Sequence, residues 1–179
     1  MQGADTSPSR IARIPARARR LMRWSGLGFG ALALTAMTDF AQDHALMLNA
    51  SPSLPYWAIW LTRSQVPMRG DLVVFAAPPS GLLIRHFGAS PQPFGKRVLG
   101  VAGDRVTEQK RMFFINGKPV ALAKAVTRLG EALALGPTGT IPKDCYFVGT
   151  EHKDGFDSRY AAIGWICHPQ VLGVGSAVL

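Results

Sequence analysis

The sequence predicts a mainly β domain that follows a basic and apolar N-terminal segment. Short apolar runs rich in β-branched and aromatic residues recur after residue 50, as in "GDLVVFAAPP" and "DCYFVGT". Glycine, proline and Asn-Gly turn signals separate these runs, which is typical of strands joined by tight turns. Amphipathic helical patterns are rare; the exception lies around residues 120–135, which we expect to form a helix or an irregular insertion.

The N-terminal region has the pattern of an export signal. Residues 1–24 hold six arginines and one aspartate, and residues 25–38, "SGLGFGALALTAMT", carry no charge. A basic stretch before a short apolar core is typical of a secretory signal, and a short membrane anchor whose polar flanks thin the bilayer is the alternative. In both interpretations the arginines stay in the cytoplasm and the remainder is exported. We therefore expect a basic cytoplasmic leader over 1–24, an apolar signal or anchor with its linker over 25–48, and a periplasmic domain over 49–179.

The charge distribution argues against a nucleic-acid-binding protein. The formal net charge is +9, but residues 1–24 supply more than half of it. A nucleic-acid-binding domain needs a basic patch on the folded body, preferably with aromatic residues for stacking. The remaining chain is only mildly basic, so we expect no nucleic-acid partner.

The two cysteines, Cys145 and Cys167, gain meaning from the predicted export. An oxidising compartment permits a disulfide between them, whereas two separate buried thiols would behave as small apolar side chains. Spacing alone does not decide between these alternatives. The chain has no CxxC motif and its four histidines are scattered, so we expect no metal site.

A serine–lysine pair is the catalytic arrangement that the residues favour over a serine–histidine triad. None of the four histidines lies in a familiar setting such as GxSxG. Lysine can activate a serine only as the neutral amine, which requires apolar surroundings that lower its pKa. Lys96, in "FGKRVLGVAG", stands among apolar residues. Taken alone, the position favours a solvated charge at a strand edge, and composition does not overturn that interpretation.

Five short motifs in a fixed order support the catalytic interpretation. They are "SPSLP", "GDLVVF", "KRVLGVAGD", "INGKPV" and "GTEHKDGFDSRYAAIG". In this order they resemble the conserved blocks of bacterial signal peptidase I, a family of serine endopeptidases with a Ser/Lys dyad. The resemblance covers residues 51–164, and implies an antiparallel β peptidase domain of that type over 49–179.

The resemblance implies a role for each motif residue. Ser53 corresponds to the nucleophile and Lys96 to the general base. Ser51 corresponds to the side-chain donor of the oxyanion hole, in which the backbone N–H of Ser53 is the second donor. Ser158 matches the serine that orients the lysine amine, and Asp157 and Arg159 match a structural ion pair beneath the site. The mechanism implied needs no cofactor.

The nucleophile block points to one branch of the family. The common pattern has one more residue between serine and proline, and the shorter form here resembles the TraF branch, peptidases of plasmid conjugal transfer that process a pilin subunit. The chain departs from that branch at Trp57, where glycine is common, and from the family's last block at Thr150 and Glu151, where Asp-Asn is common.

The expected function is therefore proteolytic processing of an exported precursor, in the periplasm or at the inner membrane with the catalytic domain facing the periplasm. The expected substrate is a pilin subunit, released by hydrolysis or by cyclisation. Three alternatives remain: a housekeeping signal peptidase, an inactive exported β domain that acts as a scaffold in pilus or secretion assembly, and a self-cleaving Ser/Lys repressor relative. The export signal and the lack of a DNA-binding module oppose the third.

Overall fold

A computed structural model describes residues 15–48 and 54–178, so the predicted nucleophile segment with Ser51 and Ser53 lies outside the described residues. The chain divides into two compact units, Met1–Gln42 and Asp43–Leu179. The first unit contributes most of helix α1 (Ala16–Asp43). In the described part of the chain, no helix combines the length and the apolar character needed to cross a membrane.

The second unit is an antiparallel β domain, as the sequence predicts. Its strands are β1 (His44–Leu48), β2 (Ala58–Thr62), β3 (Leu72–Phe75), β4 (Phe94–Gly100), β5 (Arg105–Gln109), β6 (Met112–Ile115), β7 (Lys118–Leu122), β8 (Gly139–Thr140), β9 (Cys145–Gly149), β10 (Ile166–Cys167) and β11 (Val171–Val178). Among the described residues they form a seven-stranded sheet, β1-β2-β11-β3-β4-β9-β10, and a four-stranded sheet, β7-β6-β5-β8. Strand β1 thus belongs to the β domain, although the sequence suggested a linker there.

The smaller sheet contains the hairpin that the Asn-Gly signal predicts. Strands β6 and β7 pair in antiparallel register, and Asn116 and Gly117 join them with φ angles of 50° and 79°. Both residues therefore have the left-handed backbone that a two-residue hairpin turn requires. Local turn chemistry is sufficient to predict this element.

Strand β4 is an interior strand of the larger sheet, between β3 and β9. Strand β3 is buried along its whole length, and so is β9, on the other side of β4. Such continuously apolar strands are typical of a sheet that is covered on both faces. One cluster of fully buried side chains spans β3, β4 and β9; it includes Val73, Phe75, Val98 and Val148. Strand β4 is consequently held on both edges by well-packed neighbours.

Two segments between the strands were not predicted in detail. Residues 120–135 form no helix: β7 ends at Leu122, and the residues after it form an irregular insertion with a short hairpin closed by a bridge between Val126 and Ala132. A short helix, α2 (Gly81–Phe87), lies between β3 and β4. The Ser80 hydroxyl accepts the N–H of Leu83 at 3.2 Å and caps its first turn.

Candidate active site

Lys96 lies on β4, an interior strand of the larger sheet, with its side chain directed into the core. Side chains alternate along a strand, and on β4 the buried positions are Lys96, Val98 and Gly100, while Arg97 is exposed. Lys96 pairs with Val73 on β3 and is only 4% exposed. The structure therefore places this lysine among buried apolar residues and not at a solvated strand edge.

Burial lowers the pKa of Lys96 below its ordinary value, because removing the ammonium group from water disfavours the charged form. The negative charge of Asp157 opposes this effect and the positive charge of Arg159 adds to it. The net effect lowers the pKa of Lys96, which raises the fraction of the neutral amine. A neutral amine has a free lone pair and can accept a proton from a hydroxyl group.

Asp157 and Arg159 form a buried, bidentate ion pair. The carboxylate of Asp157 accepts two hydrogen bonds from the Arg159 guanidinium, from Nε and from Nη2, each at 2.7 Å. Arg159 also donates to the carbonyl oxygens of Leu122 and Gly155, both at 3.0 Å. Both charged side chains are almost completely shielded from solvent. This pair fixes the loop that follows β9 and sets the charges acting on Lys96.

Ser158 connects that loop to the sheet. Its hydroxyl oxygen accepts the backbone N–H of Val148 at 2.9 Å, and its own N–H donates to the carbonyl of Val148 at 3.1 Å. Val148 is paired with Val98 on β4, two residues beyond Lys96. The loop residue Ser158, which is fully buried, is thus bonded to β9, the strand next to the one that carries Lys96. A bond between Ser158 and the lysine amine remains a prediction.

The described residues that follow Ser53 in the sequence pack against β4 beside Lys96. Leu54 is buried, and its Cδ1 atom lies 3.1 Å from the point that a Cβ on Gly95 would occupy. Farther along, the hydroxyl of Tyr56 accepts a hydrogen bond from Arg97 Nη2 at 2.6 Å. Residues on both sides of Lys96 therefore anchor the segment that begins at Leu54. Trp57, the departure from the TraF pattern, is more than half exposed.

Two glycines that the sequence analysis did not single out shape the loop around the ion pair. A Cβ on Gly136 would overlap the carbonyl oxygen of Ser158, and the Gly136 N–H donates to the carbonyl of Arg159 at 2.7 Å. A Cβ on Gly155 would overlap Thr150 and lie 2.5 Å from Arg159 Nη2. These close approaches depend on tertiary contacts, and nothing in the local sequence signals them.

Cys145 and Cys167 are joined by a disulfide between the paired strands β9 and β10. The bond closes the chain segment that contains Asp157, Ser158 and Arg159, so it ties together both ends of the loop beside Lys96. Within the described residues, no group of three or more histidine, cysteine or carboxylate side chains is arranged to hold a metal ion.

A family model matches most of the chain. The family model described as signal peptidase, peptidase S26, matches residues 19–179. A curated protein from Synechocystis sp., named probable signal peptidase I-2, is 31% identical over 112 residues, which are 62% of this chain. The match spans 47% of that relative, about half its length. A crystal structure of a signal peptidase I from Enterococcus faecalis is 24% identical, with a TM-score of 0.39 over 62% of this chain and 97% of the other.

Proposed function

The chain belongs to the signal peptidase, peptidase S26, family, and from this premise we propose that it is a serine endopeptidase with a Ser53–Lys96 dyad. The proposal includes a polypeptide substrate, an exported precursor, and a location in the periplasm or at the inner membrane with the catalytic domain facing the periplasm. Neither a metal nor another cofactor takes part in the proposed mechanism.

The proposed chemistry begins with proton transfer from the Ser53 hydroxyl to the neutral amine of Lys96. Ser53 Oγ then attacks the scissile carbonyl carbon, and the resulting oxyanion accepts hydrogen bonds from Ser51 Oγ and the Ser53 backbone N–H. When the intermediate collapses, the Lys96 ammonium returns its proton to the leaving amine and an acyl-enzyme remains. Lys96 next deprotonates a water molecule, or an amine of the substrate, which releases the acyl group.

The observation that carries this proposal is the environment of Lys96. A lysine is costly to bury as an ammonium ion, and Lys96 is on the inner face of β4 with only 4% of its surface exposed. Its pKa is lowered by that burial, which is the condition that a lysine base requires. Leu54, immediately after Ser53 in the sequence, packs against the neighbouring Gly95, which supports a nucleophile close to the lysine.

We further propose that the precursor is a pilin subunit of a conjugal transfer system. The support is the short spacing of the serine–leucine–proline motif, Ser53 to Pro55, which resembles the TraF branch. Mass spectrometry of a processed pilin distinguishes the two possible outcomes, because a cyclised product is lighter than the linear product by one water molecule.

The dyad is tested by replacing Ser53 with alanine and Lys96 with alanine or methionine. The assay uses a quenched fluorescent peptide in which an Ala-x-Ala site follows an apolar stretch, as at secretory cleavage sites. Either replacement should abolish cleavage while circular dichroism and thermal unfolding show an intact fold. Ser51→Ala should retain activity reduced about 10²- to 10³-fold, as the loss of one oxyanion donor does.

Wild-type cleavage rates in Ser53→Ala or Lys96→Ala would refute the dyad. A wild-type chain that is folded and binds precursors but cleaves none of the peptides would instead support the scaffold alternative. Arg105→Glu, on an exposed position of β5, is the matched surface control and should cleave at the wild-type rate.

A further inference from the structure

An open cavity of about 740 Å³ lies beside the candidate site. Three segments enclose it: the last residues of α2, the short hairpin at residues 124–133, and the loop at residues 152–160. None of the five sequence motifs accounts for the first two segments. We call this space the α2 cavity.

Ion pairs hold the three walls of the α2 cavity together. Glu131, on the hairpin, accepts a hydrogen bond from Arg85 Nε of α2 at 2.7 Å and also contacts His86. Asp154, on the loop, contacts Lys124 and accepts a bond from Arg128 Nη2 at 3.0 Å. The hairpin is therefore fastened both to α2 and to the loop, and the cavity between them is a built feature of the fold.

The cavity has an apolar floor that is open to solvent. Phe87 and Val126 are each nearly half exposed, and Phe156 and Tyr160 stack with their ring centroids 5.4 Å apart. The ring of Phe87 lies 5.9 Å from that of Phe156. Aromatic surface left uncovered in a concave site that also presents polar groups is typical of a place that binds a ligand.

The rim of the α2 cavity favours a negatively charged group. The single carboxylate of Asp154 is shared by Lys124 and Arg128, so one positive charge remains uncompensated at this edge. The side chain of Arg128 is 81% exposed, and a guanidinium has donors to spare after one bond to Asp154. Glu131 stays ionised, because hydrogen bonds from His86 and Arg85 lower its pKa, but these same partners balance its charge.

A row of aromatic rings leads from the cavity to β4. The ring centroid of Phe87 is 5.1 Å from that of Phe94, and Phe94 lies two residues before Lys96 on the same strand. On the other wall, Phe156 immediately precedes Asp157. An extended polypeptide advances about 3.3 Å per residue, so a chain bound over Lys96 reaches the cavity within a few residues.

We propose that the α2 cavity is an accessory recognition site for the polypeptide substrate, which takes an aromatic side chain next to a carboxylate. The aromatic ring packs on Phe87, Val126 and Phe156, and the carboxylate binds Arg128 at the rim. This proposal rests on the proposed function, since it assumes that the substrate is a polypeptide. It adds a preference for an Asp-Phe type segment a few residues from the cleaved bond.

Binding is tested with a fluorescein-labelled peptide, Gly-Ser-Asp-Phe-Ser-Gly, which contains no Ala-x-Ala site. The matched probes replace Asp with Lys, or Phe with Ala. Fluorescence anisotropy with the wild-type protein should show binding of the Asp-Phe peptide at least tenfold tighter than that of either matched probe. Arg128→Glu and Val126→Asp should each weaken binding of the Asp-Phe peptide at least tenfold, and Arg105→Glu should leave it unchanged.

Cleavage kinetics then separate this proposal from the proposed function. For a cleavable peptide that carries the Asp-Phe segment, Arg128→Glu should raise KM and leave kcat unchanged; for the same peptide without that segment, neither constant should change. Equal binding of all three probes by the wild-type protein, or binding unaffected by both cavity variants, would overturn the cavity proposal even if cleavage occurs. A different outcome is that the wild-type protein binds the Asp-Phe peptide selectively, loses that binding in Arg128→Glu, and cleaves no peptide. That result would support the cavity proposal and contradict the proposed peptidase function.

Discussion

The replacement Asp157→Asn tests both the stability of the fold and the electrostatics of Lys96. The two side chains have nearly the same volume, so the change removes a charge and creates no cavity. In the variant, the Arg159 guanidinium keeps its bonds to the carbonyls of Leu122 and Gly155 but loses its counter-ion. Arg159 is only 2% exposed, so water cannot replace that partner.

The expected loss of stability in Asp157→Asn follows from the burial of Arg159. Removing one partner of a buried ion pair costs about 3–5 kcal/mol, because the other charge is left uncompensated. The lower end applies here, since the asparagine oxygen can still accept one hydrogen bond from Arg159. A domain is stable by roughly 5–15 kcal/mol in total, and at about 2–4 °C per kcal/mol for chains of this size we expect the melting temperature to fall by about 10 °C.

The same variant should shift the pH dependence of cleavage. The negative charge of Asp157 raises the pKa of Lys96 and so opposes the effect of burial. Removing that charge lowers the pKa further, and the neutral amine that acts as the base is then present at lower pH. The acid limb of kcat/KM should therefore move to lower pH in Asp157→Asn.

The control is Asp154→Asn, in the same loop. Its partner Arg128 is 81% exposed and its partner Lys124 is 45% exposed, and a solvent-exposed ion pair contributes about 1 kcal/mol or less. Thermal and urea unfolding of the two variants measure the difference directly. The reasoning is refuted if both variants lose the same small amount of stability, or if the acid limb of Asp157→Asn moves to higher pH.

Two further predictions concern the packing of the loop beside Lys96. Reducing the Cys145–Cys167 disulfide, which spans 22 residues, should lower the free energy of unfolding by about 3 kcal/mol, because the unfolded chain regains the freedom that the bond removes; thermal unfolding with and without dithiothreitol measures this. Gly155→Ala should lower it by about 1–3 kcal/mol, because the new Cβ would overlap Thr150 and crowd Arg159; urea unfolding measures that change.

Each of these predictions has a matched control. The double variant Cys145→Ser, Cys167→Ser should show no response to dithiothreitol, and an equal response would mean that the reductant acts elsewhere. Gly81→Ala, in the first turn of α2, places its Cβ 3.3 Å from the movable end of Arg85 and should leave stability unchanged or raise it slightly. A Gly155→Ala variant as stable as Gly81→Ala would contradict the close packing around the ion pair.

Elements with local causes could be predicted from the sequence. The β6–β7 hairpin follows from Asn116-Gly117, which adopts the turn with no help from distant residues. The strand containing Lys96 follows from its apolar run, and the turn after it from Gly103-Asp104, where the φ angle of Gly103 is 89°. Helix α2 was missed although Ser80 and Gly88 cap it, because seven residues show too little periodicity to be distinguished from a loop.

By itself, the sequence determined the mainly β class, the position of the turns and the family, because these depend on local chemistry and on the order of short motifs. Only the tertiary structure decided the environment of Lys96. The residues around it allowed a solvated edge charge, and the pairing of β4 between β3 and β9 removes that possibility by burying the side chain. Tertiary packing also joins Asp157 to Arg159 and forms the α2 cavity from three segments distant in sequence, and no local pattern specifies contacts of that range.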